Sequence, residues 1–257
     1  MSIPHNALRR ASVAPTRVRP SAHRYYAWAG AAAFTIVFVG FAQTYYLKLL
    51  FDTPALPVLL HFHGGLMTSW FLLFFTQTYL VASHRIGLHR QLGVFGAVLA
   101  VLMVVVGTTV ALRWAARAVH QSHADGPPPL MFMGFLLFAL LVFAILVCAA
   151  LLLRRRPDYH KRLMLLSCLS MVGPGLARIS FEHASALSFL KNGGPGGLFG
   201  LDLLLLYACV AWDTWRHRRL HPAFVSGGLL LLAEDLPLIW IVLSTPTWTR
   251  LAMRLVG

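Results

Sequence analysis

Acidic residues are scarce in this chain: eight Asp and Glu stand against 22 Lys and Arg over 257 residues. Charged residues of either sign make up only 12%, about half the roughly 25% of a typical soluble domain. Several runs of 18 or more mostly apolar residues have too little polar surface to sit beneath, which excludes a water-soluble globular fold. Cysteine is rare as well. Cys148, Cys168 and Cys209 fall inside apolar stretches without a spacing motif, so they read as small core residues rather than disulfides or reactive thiols.

Catalytic signatures are missing too. The chain has no Gly-x-Ser-x-Gly, His-Glu-x-x-His or Cys-x-x-Cys, and a hydrolase reading finds no residues to rest on. The Gly193-Gly-Pro-Gly-Gly197 run lacks the preceding strand and the Gly-Lys-Ser/Thr ending of a phosphate loop. Residues 1–24 lack both an acid and the apolar core of a signal peptide, and read as a basic, disordered cytoplasmic tail. Residues 25–257 then form a single membrane domain.

What the chain has is hydrophobic length. Apolar residues reach 58%, and seven transmembrane helices fit, near 26–47, 58–82, 91–113, 130–153, 162–184, 198–215 and 222–243. The fold class is all-α, a polytopic bundle with the second to fifth helices as a four-helix core. Tyr25, Tyr26 and Trp28 at one end of the first helix, and Tyr45 and Tyr46 at the other, are interfacial anchors.

Charge sets the orientation. Fifteen Lys and Arg fall on one side of this arrangement: five before the first helix, Arg85, Arg90, Arg154, Arg155, Arg156, Lys161, Arg162, Arg216, Arg218 and Arg219. Six fall on the other: Lys48, Arg113, Arg117, Lys191, Arg250 and Arg254. The asymmetry puts the N-terminus in the cytoplasm and the C-terminus outside. Basic turns distributed in this way meet anionic lipid headgroups, not nucleic acid.

The turns also repeat. Arg85-x-x-x-His89-Arg90-x-Leu92 and Arg156-x-x-x-His160-Lys161-x-Leu163 share one spacing 71 residues apart, and His217-Arg218-Arg219-Leu220-His221-Pro222 is a looser third copy. A repeated two-helix unit accounts for this pattern.

Three groups of residues carry candidate chemistry. His89, His160 and His221 fall at the cytoplasmic start of a helix, where two at equal depth could ligate haem iron. At the outer side, His61, His63, Glu182, His183 and Asp202 combine imidazole and carboxylate in a set that suits a transition metal; alternatively, His63 and His183 could clamp a haem. Residues two apart on a helix diverge by about 200°, so His61 and His63 serve one site only if their helix begins after them. Gly64 and Gly65 beside His63 leave room for another element or a cofactor. The third group is buried charge: Arg178 against Glu182 or Asp202, with Gln77 in a polar network, and Glu234-Asp235 near mid-membrane, a candidate proton or cation path. His160 to His183 is expected to be one helix about 35 Å long, kinked at Gly173-Pro174-Gly175.

His61-Phe-His63-Gly64, Trp70 to Gln77, Leu88-His89-Arg90-x-Leu-Gly93, His160-Lys-Arg-Leu-Met164 with Arg178, Leu201-Asp202-Leu203 and Leu220-His221-Pro222 occur in this order. Over about residues 45–230 they resemble a family of uncharacterised bacterial seven-helix inner-membrane proteins. The resemblance implies a multi-pass inner-membrane location and assigns the matching His, Gln77, Arg178 and Asp202 to a common design; Glu234-Asp235 lies outside its pattern. A looser likeness, over the second to fifth helices, is to cytochrome b561 and ferric-reductase-type membrane cytochromes. It implies haem b held by paired histidines. The chain departs from that pattern, because its fifth helix carries two candidate ligands and its fourth none. The leading expectation is a haem b- or metal-binding electron-transfer component with a redox partner or a homo-oligomeric state. The alternatives are a carrier for a small solute, proton or cation gated by Arg178, Asp202 and Glu182, and a non-catalytic assembly or accessory subunit with structural histidines.

Overall fold

Prolines set where most helices begin in the computed structural model of the chain. It describes residues 21–51, 53–120, 128–182, 195–235 and 237–257, without the side chains at 21–24, 180–182, 195–202, 234, 235, 237, 238 and 240. The α-helices among them are α1 (Ser21–Gly40), α2 (Val58–Ala82), α3 (Ile86–His120), α4 (Pro129–Leu152), α5 (Pro157–Leu169), α6 (Gly173–Glu182), α7 (Pro195–His217), α8 (Pro222–Asp235), α9 (Pro237–Leu243) and α10 (Pro246–Val256). Seven open on or directly after a proline; at a first turn its missing N–H removes no intrahelical bond. No strand occurs among the described residues.

The protein is all-α, with four helices long and apolar enough to cross a membrane: α2, α3, α4 and the stretch from Pro157 to Ile179. Tyr25–Gly40 and Pro222–Ala233 are shorter apolar helices. Val94, Val98, Val101 and Val105 form an exposed stripe along α3. Apolar residues at helical spacing turned outward are the surface a lipid environment accepts.

Several boundaries differ from the sequence expectation. The first helix stops at Gly40 instead of 47 and continues as a π-turn, Ala42–Tyr46, and a 3₁₀ turn, Lys48–Leu50. α3 extends to His120, so the first part of the expected outer loop, 114–120, is helical. The expected helix over 162–184 is two, α5 and α6. Between them, Met171 N donates to the Cys168 carbonyl at 3.2 Å and Val172 N to that of Leu169 at 3.0 Å. These tightened bonds replace α-helical ones in the turn ahead of Pro174, where the proline ring clashes and supplies no donor. The flanking glycine has its own cause: at Gly40, α1 runs directly against the backbone of Gly175 in α6, and a Cβ on either residue would meet the other helix.

α2 packs on α3, α3 on α4 and α4 on α5, while α5 also touches α2. Trp70 of α2 meets Phe143 of α4 edge to face at 5.0 Å, and Met103, Leu165 and Leu166 beside them are sealed from solvent. Such an aromatic pair contributes about 0.5–1.5 kcal/mol beyond its buried area. A second, smaller core joins the end of α3 (Ala111, Ala115) to the start of α4 (Met133) and to Ala252 of α10. Thr245 caps α10 by accepting from Trp248 N at 3.2 Å, and Trp248 Nε1 donates to the Leu130 carbonyl at 2.9 Å. This final helix, absent from the sequence reading, has 11 residues and is too short to span. It is tied to the ends of α3 and α4 remote from His89 and His160.

Candidate functional site

α3 and α5 begin alike. Ile86 and Pro157, their first residues, keep the 71-residue spacing of the sequence repeat, and His89 N and His160 N bond back to the Arg85 and Arg156 carbonyls at 3.1 and 3.0 Å. The two histidines therefore occupy the same place in the first turn of their helices. Their rings come together with centroids 6.4 Å apart and planes nearly perpendicular, at 82°.

The ring nitrogens differ in their surroundings. His160 Nδ1 lies 2.8 Å from the Ala150 carbonyl; a carbonyl only accepts, so Nδ1 carries the proton and Nε2 keeps its lone pair. His89 Nδ1 is buried without a hydrogen-bond partner, and so is Gln77 Oε1. Gln77 reaches from α2 toward Gly93, one turn after His89. Buried polar atoms without a partner are costly, and His89 Nδ1 and Gln77 Oε1 are two of seven such side-chain atoms among the described residues.

His221 has a different role from the other two copies of the repeat. It stands just before α8, where its Nδ1 accepts from Ala223 N at 3.2 Å and its Nε2 donates to Asp158 Oδ2 at 3.1 Å. Both ring nitrogens are committed, so no lone pair is left for a metal. The third copy has become a helix cap and a tie to α5.

Behind these residues lies an ion pair that the sequence reading did not single out. Arg162 of α5 donates from Nε to Asp213 Oδ2 at 2.9 Å and from Nη2 to Oδ1 at 2.8 Å. Only 2% of Arg162 and 1% of Asp213 is exposed. Nη1 donates to the Asp158 carbonyl at 2.8 Å, and His217 Nδ1 donates to the Asp213 carbonyl at 2.8 Å. The pair joins α5 to α7. Its one legible signal was scarcity, since an acid inside an apolar helix, with many arginines at that end of the chain, has to find one.

At the other side the expected cluster is only partly visible. His183 lies outside the described residues, as do the side chains of Glu182, Asp202, Glu234 and Asp235. α2 starts at Val58, ahead of both His61 and His63, so the two diverge and cannot share a site. His61 is exposed with its ring beside Tyr45, and His63 is half-buried with Nδ1 lacking a hydrogen-bond partner. The close approach expected at Gly64 is made by the Tyr45 ring, 2.5 Å from where a Cβ would stand, whereas Gly65 faces open space. Arg178 is exposed with its guanidinium over the Phe41 ring at 4.6 Å. Among the described residues no three His, Cys, Asp or Glu side chains converge as a metal site. No family model, curated protein or solved structure matches the chain.

Proposed function

We propose that this is a multi-pass inner-membrane electron-transfer component holding a transition-metal cofactor, haem b iron or a single ion, between His89 and His160. The observation that carries the reading is the 6.4 Å separation of the two rings. Imidazoles bound on opposite sides of one metal at about 2.0–2.1 Å have ring centres roughly 6 Å apart. The carbonyl at His160 Nδ1 is the partner that orients a ligating imidazole and frees its other nitrogen. Two protein donors suit axial ligation of a haem better than a closed structural zinc site, which takes four. Trp70, Phe143 and Met103 fill the bundle at mid-depth, which favours one cofactor near the basic end over two stacked across the membrane.

The topology in this proposal has seven crossings, with α5–α6 and α8–α9 each a broken span, the N-terminus cytoplasmic and the C-terminus outside. It is supported by the way the basic turns gather. Arg162 with Asp213 and His221 with Asp158 join two of them, the turn before α5 and the turn between α7 and α8, at one end, while α10 packs at the opposite end.

The experiment is an absorption spectrum of full-length protein purified in detergent from cells supplied with haem, oxidised and then dithionite-reduced, with metal content measured on the same sample. Sharp reduced haem bands, or about one metal per chain, are expected to disappear in His89→Ala and His160→Ala and to persist in His221→Ala. A colourless, metal-free protein would overturn the proposal, and so would a signal that survives both substitutions.

A further inference from the structure

At the basic end, a pocket of about 100 Å³ opens between the start of α5, the end of α7 and the start of α8. Its walls are Asp158, Lys161, Arg162, His217, Arg219 and His221. The volume has room for a phosphoryl-sized anion together with several water molecules.

The charges of this pocket do not balance. Asp213, behind it, is saturated by two hydrogen bonds from Arg162. Asp158, on the wall, accepts one hydrogen bond from the neutral His221 ring and keeps its charge, so Asp158, Lys161 and Arg219 together leave one net positive charge. Among the described residues, no carboxylate forms an ion pair with Lys161 or Arg219. The Lys161 ammonium instead lies 5.5 Å from the centre of the Tyr26 ring, a contact that leaves N–H donors available. Two cations with spare donors and one carboxylate, Asp158, therefore border a small polar recess that is net positive.

The depth of the recess is marked by aromatic residues. Trp212 and Trp215, on the same turn of α7 as Asp213, are 43% and 64% exposed. Trp212 stacks on Tyr25 at 5.8 Å and tilts against Trp215 at 5.5 Å. Exposed Trp and Tyr at a helix end mark headgroup level in a membrane protein, and at that level phosphate is the abundant anion.

We infer that this pocket binds a phosphate-class oxyanion, the phosphate of an anionic lipid headgroup or free inorganic phosphate, through Lys161 and Arg219 with the Arg162–Asp213 pair as its rigid floor. The site is separate from the histidine pair, because neither His89 nor His160 lines the pocket. It also gives the basic turns a specific task beyond orienting the chain.

The test uses full-length protein in a neutral detergent and a phosphate-free buffer, with thermal unfolding as the readout. Inorganic phosphate, chloride at equal ionic strength, short-chain phosphatidylglycerol and short-chain phosphatidylcholine are titrated separately. A ligand that binds only the folded state raises the midpoint as its concentration passes its Kd. Phosphatidylglycerol is expected to raise it, with half-maximal concentration moved about tenfold or more upward in Lys161→Gln and in Arg219→Gln, as the loss of a charge-assisted hydrogen bond implies. The solvent-exposed Arg219 variant keeps the test valid if Lys161→Gln folds poorly. A matching response to inorganic phosphate, lost in the same variants, assigns the site to phosphate from either source; a response to the lipid alone assigns it to the headgroup. No response to either, equal responses to chloride or phosphatidylcholine, or responses that both variants retain would overturn the inference.

Discussion

Removing Asp213 should be among the most damaging single changes in the protein, although it touches no lipid-facing surface. Arg162 is 2% exposed, and its guanidinium directs two hydrogen bonds at this carboxylate. Asp213→Ala would leave a buried cation with no carboxylate, only the Asp158 carbonyl and the His217 ring beside it. Breaking a buried pair from one side costs about 3–5 kcal/mol, because the remaining charge has no compensation. At about 2–4 °C per kcal/mol for a chain of a few hundred residues, the unfolding midpoint in detergent should fall by roughly 6–20 °C. Replacing both partners is a different perturbation. Arg162→Met with Asp213→Leu keeps the volume and buries no charge, and such exchanges are often neutral or stabilising by about 1–4 kcal/mol. The double variant should therefore unfold well above Asp213→Ala and close to the parent chain. A midpoint for Asp213→Ala within about 2 °C of the parent, or a double variant no better than the single, would refute the claim that a desolvated charge pair ties α5 to α7.

Two further substitutions read the packing. Adjacent glycines in α2 should respond with opposite signs: Gly64→Ala meets the Tyr45 ring at 2.5 Å and should cost about 1–3 kcal/mol, whereas Gly65→Ala faces open space and should gain about 1 kcal/mol of helix propensity; unfolding midpoints that move the same way would contradict the placement of Tyr45. Thr245→Ala removes the α10 cap to Trp248 N and should cost about 1 kcal/mol, seen as faster protease cleavage after Thr245 than in the parent chain.

Much of the helical content was legible because burial in a membrane leaves only long apolar runs to choose from, and prolines mark their starts. Helix breaks were harder to read. The Gly173-Pro174-Gly175 sequence announced a kink, yet the role of Gly175 depends on α1 crossing it, a contact between residues more than a hundred positions apart. α10 was illegible as a span for a simple reason: its 11 residues bury one face on Ala111, Ala115 and Met133 and never needed to be uniformly apolar. Of the candidate site, the spacing of His89 and His160 was visible, and their shared helix position follows from it. The difference in His221 was not, because Pro222 directly after it starts the helix one residue later instead of three before. That shift turns a side chain that would face a neighbouring helix into one that caps its own.

The shortage of acid then explains the division of labour at the basic end. Asp158 and Asp213 are the only two of the eight acids that can be followed here to their partners, and both are used for architecture, one on Arg162 and one on His221. Each tie joins a different helix to α5, so α5 is held from both α7 and the start of α8 before any ligand arrives. A helix fixed in this way presents His160 toward His89 at constant spacing. The same economy leaves Lys161 and Arg219 without an ion-paired carboxylate among the described residues. Had a third acid been placed at this end, the recess would be neutral and closed to anions. Adding one is therefore the decisive perturbation: Leu220→Glu, at an exposed position beside Arg219, should abolish the phosphate response while leaving the histidine pair and the Arg162–Asp213 tie intact.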